Sequence, residues 1–172
     1  MDTLETERLC LRPMKESDGA FLLEVLNEPA FIRHIGDRGV RTVKKAVIYL
    51  RERILAQYES YGFGMLLVEL KESAEPVGIC GLIKRDSLED IDIGFSFLER
   101  FWSQGYAAEA ASAVVRDAVE RRKLSRLVAI VALHNAASVR LLEKLGFQLE
   151  KKIRLTQGDE ELLLYAISPG ES

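Results

Sequence analysis

The sequence predicts a mixed α/β domain built on a mostly antiparallel sheet, and three observations carry that prediction. Ile91, Ile93, Phe95 and Phe97 alternate with Asp92, Gly94 and Ser96 at the two-residue period of a strand, and from Ala107 the apolar residues switch to helical spacing. Upstream, the apolar runs 63–70 and 77–83 are joined to each other and to 91–97 by short polar connections, which favour antiparallel neighbours. Downstream, Leu127–Leu133 is almost wholly apolar, as a strand covered on both faces should be, and a helix separates it from 91–97. A right-handed crossover lays those two strands parallel.

The remaining elements follow in order. Leu9 and Leu11 alternate with Arg8, Cys10 and Arg12 and read as a first strand ending at Pro13. Ser17 is the expected N-cap of a helix burying Phe21, Leu22, Val25 and Leu26, stopped by Asn27-Glu28-Pro29. Residues 31–40, with Gly36 and Gly39, read as a loop. Thr42 caps a longer helix whose Val43, Val47, Leu50, Ile54 and Tyr58 form one stripe, with Gly62 as its stop. Ala107, Ala110, Ala111, Val114, Val115 and Ala118 mark the clearest helix of the chain. Asn135 then caps a short helix carrying Leu141, Leu142 and Leu145, with Gly146 at its end. Gln148–Leu155 and Glu161–Ile167 form a closing hairpin around Gln157-Gly-Asp159.

At 172 residues the length favours one domain, 1–172, able to bury roughly 70% of the surface of its unfolded chain. A composition of 48% apolar and 30% charged residues suits a soluble protein, and no apolar run approaches the ~18 residues of a membrane span. The N-terminus is charged within its first residues, unlike a secretory segment, so a cytoplasmic location is expected. A net charge of -3 does not match the basic footprint of nucleic-acid binders, and Arg121-Arg-Lys123 reads as a solvated helix end. Cys10 and Cys80 lie in apolar alternation without ligand spacing, and His34 and His134 fit no metal motif, so no metal is expected.

The chemistry concentrates between strand and helix at Trp102-Ser-Gln-Gly105. A strand that feeds a helix through so small a turn leaves the first amides of the helix unpaired. Together with the positive end of the macrodipole they attract an anion such as a pyrophosphate.

Strand, small-residue turn, helix, buried strand, then Asn135-Ala-Ala-Ser138 and Glu143-Lys-Leu-Gly-Phe147 is an order that resembles the GNAT superfamily of acyl-CoA-dependent N-acyltransferases. Within it the chain is similar to the ribosomal-protein N-terminal acetyltransferases. The likeness runs from Thr6-Glu-Arg-Leu9 and Leu11-Arg-Pro13, through Gly78-Ile-Cys-Gly-Leu82 and Ile93-Gly-Phe95, to Leu145-Gly-Phe147. Its most specific block is Trp102-Ser-Gln-Gly-Tyr-Ala-Ala-Glu-Ala110. Two departures stand out. Ser103 takes the place of a more frequent glycine, and the tyrosine many members place after the Asn135 block has no counterpart, Leu141 and Leu142 occupying that region.

The resemblance implies a parallel splayed strand pair, helices on both faces of the sheet, and direct transfer from acetyl-CoA to a primary amine. Backbone amides of Gln104, Gly105, Tyr106, Ala107 and Ala108 would hold the pyrophosphate, and the backbone of Ser96, Phe97 and Leu98 would pair with the pantetheine arm. Asn135 can cap its helix and also bond the pantetheine amide, and Ser138 is the candidate proton donor to the leaving thiolate. Asp92 is the candidate base, on the strand face of Gly94 and Ser96, with Asp90 and Glu99 as rivals; a solvated strand residue is its plain reading. Glu109 is expected to act electrostatically at the helix N-terminus. His34, Arg33, Asp37 and Arg38 are candidate acceptor contacts in the loop 31–40. The expected acceptor is a protein or peptide N-terminus, with a small amine or a catalytically weak CoA-binding module as alternatives, and a homodimer is left open.

Overall fold

Period-two apolar residues build one sheet in the computed structural model, which describes residues 2–169. Its strands are β1 (Leu4–Glu5), β2 (Leu9–Pro13), β3 (Met65–Leu70), β4 (Pro76–Ile83), β5 (Asp92–Phe97), β6 (Leu127–Ala132), β7 (Gln148–Ile153) and β8 (Leu162–Ile167). Their spatial order is β1-β2-β3-β4-β5-β6-β8-β7, and every pair is antiparallel except β5 with β6.

Neighbouring residues sort to opposite faces as the strand period requires. Leu66, Val68, Cys80, Leu82, Ile93 and Phe97 pack with Ala110, Ala111, Val114 and Ala118 of α5 (Tyr106–Glu120). Leu67 and Ile79, one residue out of phase, pack on the other face with Leu22, Val25, Ala46, Leu50 and Ile54. Those last residues belong to α1 (Gly19–Leu26) and to a continuous helical stretch made of α3 (Val43–Tyr49), a π-helical segment (Leu50–Leu55) and α4 (Ala56–Tyr61). The last helix, α6 (Ala136–Lys144), buries Leu142 with Phe147 and Tyr165 on the α5 face.

Two expected caps form. The Thr42 side chain accepts from the Lys45 amide at 3.1 Å, and that of Asn135 from the Ser138 amide at 3.3 Å. Gly62 ends α4 at φ 73°, a left-handed conformation that glycine adopts without steric cost.

Three local expectations are corrected, and one strand was not foreseen. Ser17 caps nothing: it lies inside a single 3₁₀ turn (Glu16–Asp18), because Asp18 turns inward, accepting from the Lys15 amide and from both Arg12 Nη atoms. The first half of the expected loop 31–40 is helical, as α2 (Pro29–His34), nucleated by Pro29 at its first turn and too short for periodicity to reveal. Val43, first in the expected stripe, is 48% exposed, since the buried line runs through Ala46, Leu50 and Ile54. The two-residue β1 is beyond what alternation can register.

The consequential feature is the weak join between β5 and β6. β4 and β5 pair over six positions, whereas β5 and β6 share one, Asp92 with Val128, and the Val128 amide donates to the Ile91 carbonyl at 3.1 Å. Beyond that rung the strands part, and the far half of β5 keeps an open edge.

Candidate active site at the strand gap

An antiparallel ladder turns alternate residues' amide groups toward opposite neighbours. The Leu98 amide donates to the Val77 carbonyl at 3.0 Å, so even-numbered positions of β5 face β4, and the N–H groups of Phe95 and Phe97 face the gap. Of the three residues expected to meet pantetheine, Phe97 therefore offers a free amide, while that of Leu98 is consumed within the sheet. The Phe97 carbonyl is also taken: it accepts from the indole Nε1 of Trp102 at 2.8 Å, which ties the end of β5 to the turn that follows.

That turn contains two left-handed residues, Ser103 at φ 64° and Gly105 at φ 82°. Glycine is at ease there; a residue with a Cβ is not, at a cost of about 1–2 kcal/mol. The double reversal stands Gln104 proud and starts α5 at Tyr106. The Glu109 amide is the first bonded to the turn, to the Gly105 carbonyl at 3.0 Å, leaving the amides of Tyr106, Ala107 and Ala108 without helical partners. Gln104 and Gly105 are exposed and Tyr106, Ala107 and Ala108 half-buried, so the five expected anion contacts are adjacent and open on one side. These residues fit a pyrophosphate: small side chains, unpaired amides and a helix N-terminus converge.

A latch from the start of the chain holds this turn, and sequence reasoning missed it. Glu109, in the first turn of α5, accepts from the Thr6 hydroxyl, from the Arg8 amide at 2.9 Å and from Arg8 Nε at 2.7 Å. Arg8 Nη1 donates to the Gln104 carbonyl at 2.9 Å, and its guanidinium carbon lies 4.5 Å from the centroid of the Tyr106 ring. Desolvation pushes the Glu109 carboxyl up, but the bonds from Thr6 and Arg8 outweigh it and hold the group below its ordinary value. Thr6-Glu-Arg-Leu9 carries both side chains of this latch, but the sequence does not show that they meet Glu109.

Asp92 occupies the closed end of the gap. It is 1% exposed, bonded to Arg85 Nε at 3.2 Å, and four residues from Ser96, roughly 13 Å along the strand. Burial pushes its carboxyl up to about 6 despite the attraction of Arg85. Of its rivals, Asp90 pairs with Arg126 at 3.0 Å, and Glu99 is exposed just past β5. Ser138 is half-buried in the first turn of α6, where its amide serves the Asn135 cap.

Chain distance hid one pair. The rings of His34, from the end of α2, and His134, just past β6, lie with centroids 4.8 Å apart and planes 35° apart. His34 Nδ1 is buried without a partner among the described residues, and burial, then His134 and Arg33, hold its pKa below the ordinary value. The pair joins the end of α2 to the exit of β6. Asp37 is occupied locally, by Arg41 at 2.6 Å and by the Gly39 amide. Next to His134 an open depression of about 270 Å³ is bounded by Ala132, Leu133, Arg154, Glu160 and Glu161.

Among the described residues no group of three His, Cys, Asp or Glu is placed to hold a metal ion, and no helix is long and apolar enough to cross a membrane. The family model described as an acetyltransferase (GNAT) domain matches residues 8–148. The chain is 29% identical over 153 residues to the uncharacterized N-acetyltransferase YoaA of Bacillus subtilis, covering 88% of this chain and 85% of that one. An acetyltransferase from Agrobacterium tumefaciens superposes with a TM-score of 0.82 at 28% identity, over 97% of this chain and 94% of that chain. RimL, a ribosomal L7/L12 alpha-N-protein acetyltransferase crystallised with coenzyme A, shares the fold with a TM-score of 0.82 at 20% identity, over 97% and 98%. An anion cradle beside an open strand edge, a family match across most of the chain and relatives named as acetyltransferases agree: this chain belongs to the GNAT acetyltransferases and is an acetyl-CoA-dependent acyltransferase.

Proposed function

We propose that the protein acetylates a weakly basic primary amine, of which a peptide or protein α-amine is the best fit. The observation that carries this reading is the position of Asp92: the carboxylate best poised on β5 is buried, paired with Arg85 and roughly 13 Å from the residues at the gap. A lysine amine, with a pKa near 10.4, requires a base in contact, whereas an α-amine near 7.7–8 is already partly neutral at pH 7.

In this reading Gln104, Gly105, Tyr106, Ala107 and Ala108 bind the pyrophosphate through their amides, and Asn135 Nδ2, left over after Oδ1 caps α6, is available to the pantetheine. The Phe97 amide polarises the thioester carbonyl. The neutral amine attacks that carbon, the new C–N bond forms as the C–S bond breaks, and the amine's surplus proton leaves to solvent or, through a relay, to Asp92. Ser138 gives its proton to the thiolate and recovers one from water.

A second reading has one observation in its favour. The depression beside His134 carries Glu160 and Glu161, of which Glu161 pairs with Arg154 at 3.7 Å, so Glu160 is the carboxylate there that suits a small cationic amine. An acceptor panel separates the two: kcat/KM for peptides with free α-amines should exceed that for polyamines and amino sugars by at least about tenfold, the discrimination that a single fitted contact supplies. The reverse order would select the small-molecule reading. Full turnover by Ser138→Ala would remove Ser138 from the scheme.

A further inference from the structure

Arg8 lies 101 residues from Glu109 in sequence and makes four contacts around the anion cradle: its amide and Nε to the Glu109 carboxylate, Nη1 to the Gln104 carbonyl, and its plane to the Tyr106 ring. The Gln104 carbonyl belongs to the residue between the two left-handed positions, so the bond restrains the conformation that opens the cradle. A Cβ added at Gly105 would come within 3.3 Å of Arg8 Nη2, which places the guanidinium edge against the turn itself.

Glu109 puts a carboxylate in the first turn of α5, the turn whose free amides face the anion, and a carboxylate there repels a pyrophosphate. Its oxygens are covered by Thr6 and Arg8 on the side of the β1–β2 turn. Arg8 is 43% exposed at its side chain, so it keeps a solvent-facing edge while neutralising Glu109.

We propose that Arg8 is a positioning residue for the acyl-CoA pyrophosphate, holding the Trp102–Gly105 turn open through the Gln104 carbonyl and cancelling the charge of Glu109 beside the bound anion. This rests on the reading that the pyrophosphate binds the amides of Gln104–Ala108. It makes a demand that a merely structural latch does not: the effect of losing Arg8 must depend on the pyrophosphate and on Glu109.

The test is calorimetric titration of coenzyme A and of pantetheine, which lacks the pyrophosphate, into wild type, Arg8→Gln, Arg8→Lys and Arg8→Gln/Glu109→Gln, with each variant's melting temperature recorded. Arg8→Gln should weaken coenzyme A by roughly tenfold or more, the scale of one lost charge-assisted contact, and leave pantetheine unchanged. Arg8→Lys keeps the charge without the fork and should fall between, and the double variant should recover at least about threefold over Arg8→Gln as the repulsion is removed. Equal coenzyme A affinity in wild type and Arg8→Gln would overturn the assignment, as would parallel losses for both ligands or a double variant weaker than the single. Should Arg8→Gln not fold, the Arg8→Lys comparison between the two ligands decides. A wild type that binds no coenzyme A would instead overturn the cradle itself.

Discussion

Asp92 is a buried carboxylate paired with a half-exposed Arg85: it is 1% exposed, and burial pushes its pKa up to about 6, above the ordinary carboxylate range, despite the attraction of Arg85. A folded-state pKa raised above the unfolded one favours the protonated form, so the stability it contributes is complete below about pH 4 and is lost as the pH rises through about 6. Asp92→Asn removes this dependence. In urea unfolding at pH 4.5 and pH 8, its stability relative to wild type should improve at the higher pH by on the order of 1–3 kcal/mol. A difference that stays constant with pH would contradict the raised value. At Ser103 the expectation is simpler. Glycine relieves the left-handed strain at φ 64°, partly offset by its freedom in the unfolded chain, so Ser103→Gly should stabilise by up to about 1 kcal/mol in the same assay. Ser103 was legible in advance as an unusual occupant of a glycine position. The partner of Asp92 was not, because alternation gives a residue's face but neither its ion pair nor where along the strand the gap opens.

Elements with strong local signals were read correctly: the Thr42 and Asn135 caps, the Gly62 stop and the apolar spacing of α5 all act within a few residues. What failed was short or non-local. α2 has six residues and β1 two, below the length at which a period shows, and the Arg8–Glu109 latch joins positions 101 residues apart. Trp102 belongs between these classes. Its place before the turn was evident, but its bond to the Phe97 carbonyl depends on how β5 ends. That bond couples the end of β5 to the turn before α5; if these hold the acyl-CoA as proposed, Trp102→Phe, which keeps an aromatic ring and deletes the donor, should lower kcat/KM for acetyl-CoA by roughly threefold to tenfold. Unchanged kinetics would mean the two ends of the site are held independently.

At the scale of the molecule, the candidate site is opened by a sheet that is joined by a single β5–β6 rung and then divides. The open edge of β5, the cradle at α5 and the His34–His134 contact all lie around that division. The sheet's mixed character and its one parallel pair were predictable from the chain order of strands and helix. The acceptor was not: the surfaces proposed to meet it, from α2, the β6 exit and the last hairpin, come from distant stretches that only the fold brings together. If the acceptor is an α-amine that needs no enzyme base, the acid limb of the kcat/KM profile should move with the acceptor's own pKa when peptides of different N-terminal residue are compared. A limb fixed near 6 for every acceptor would instead point to Asp92.

The cradle is the claim on which the rest depends, and Gly105 tests it most directly. Valine at φ 82° is strongly disfavoured and its Cβ meets Arg8, so Gly105→Val should close the turn without touching the sheet. Titrated with acetyl-CoA, wild type should bind with a Kd on the order of micromolar, and Gly105→Val, folded by its melting curve, should bind at least about tenfold more weakly. Equal affinity in the two proteins would place the acyl-CoA elsewhere and contradict the account.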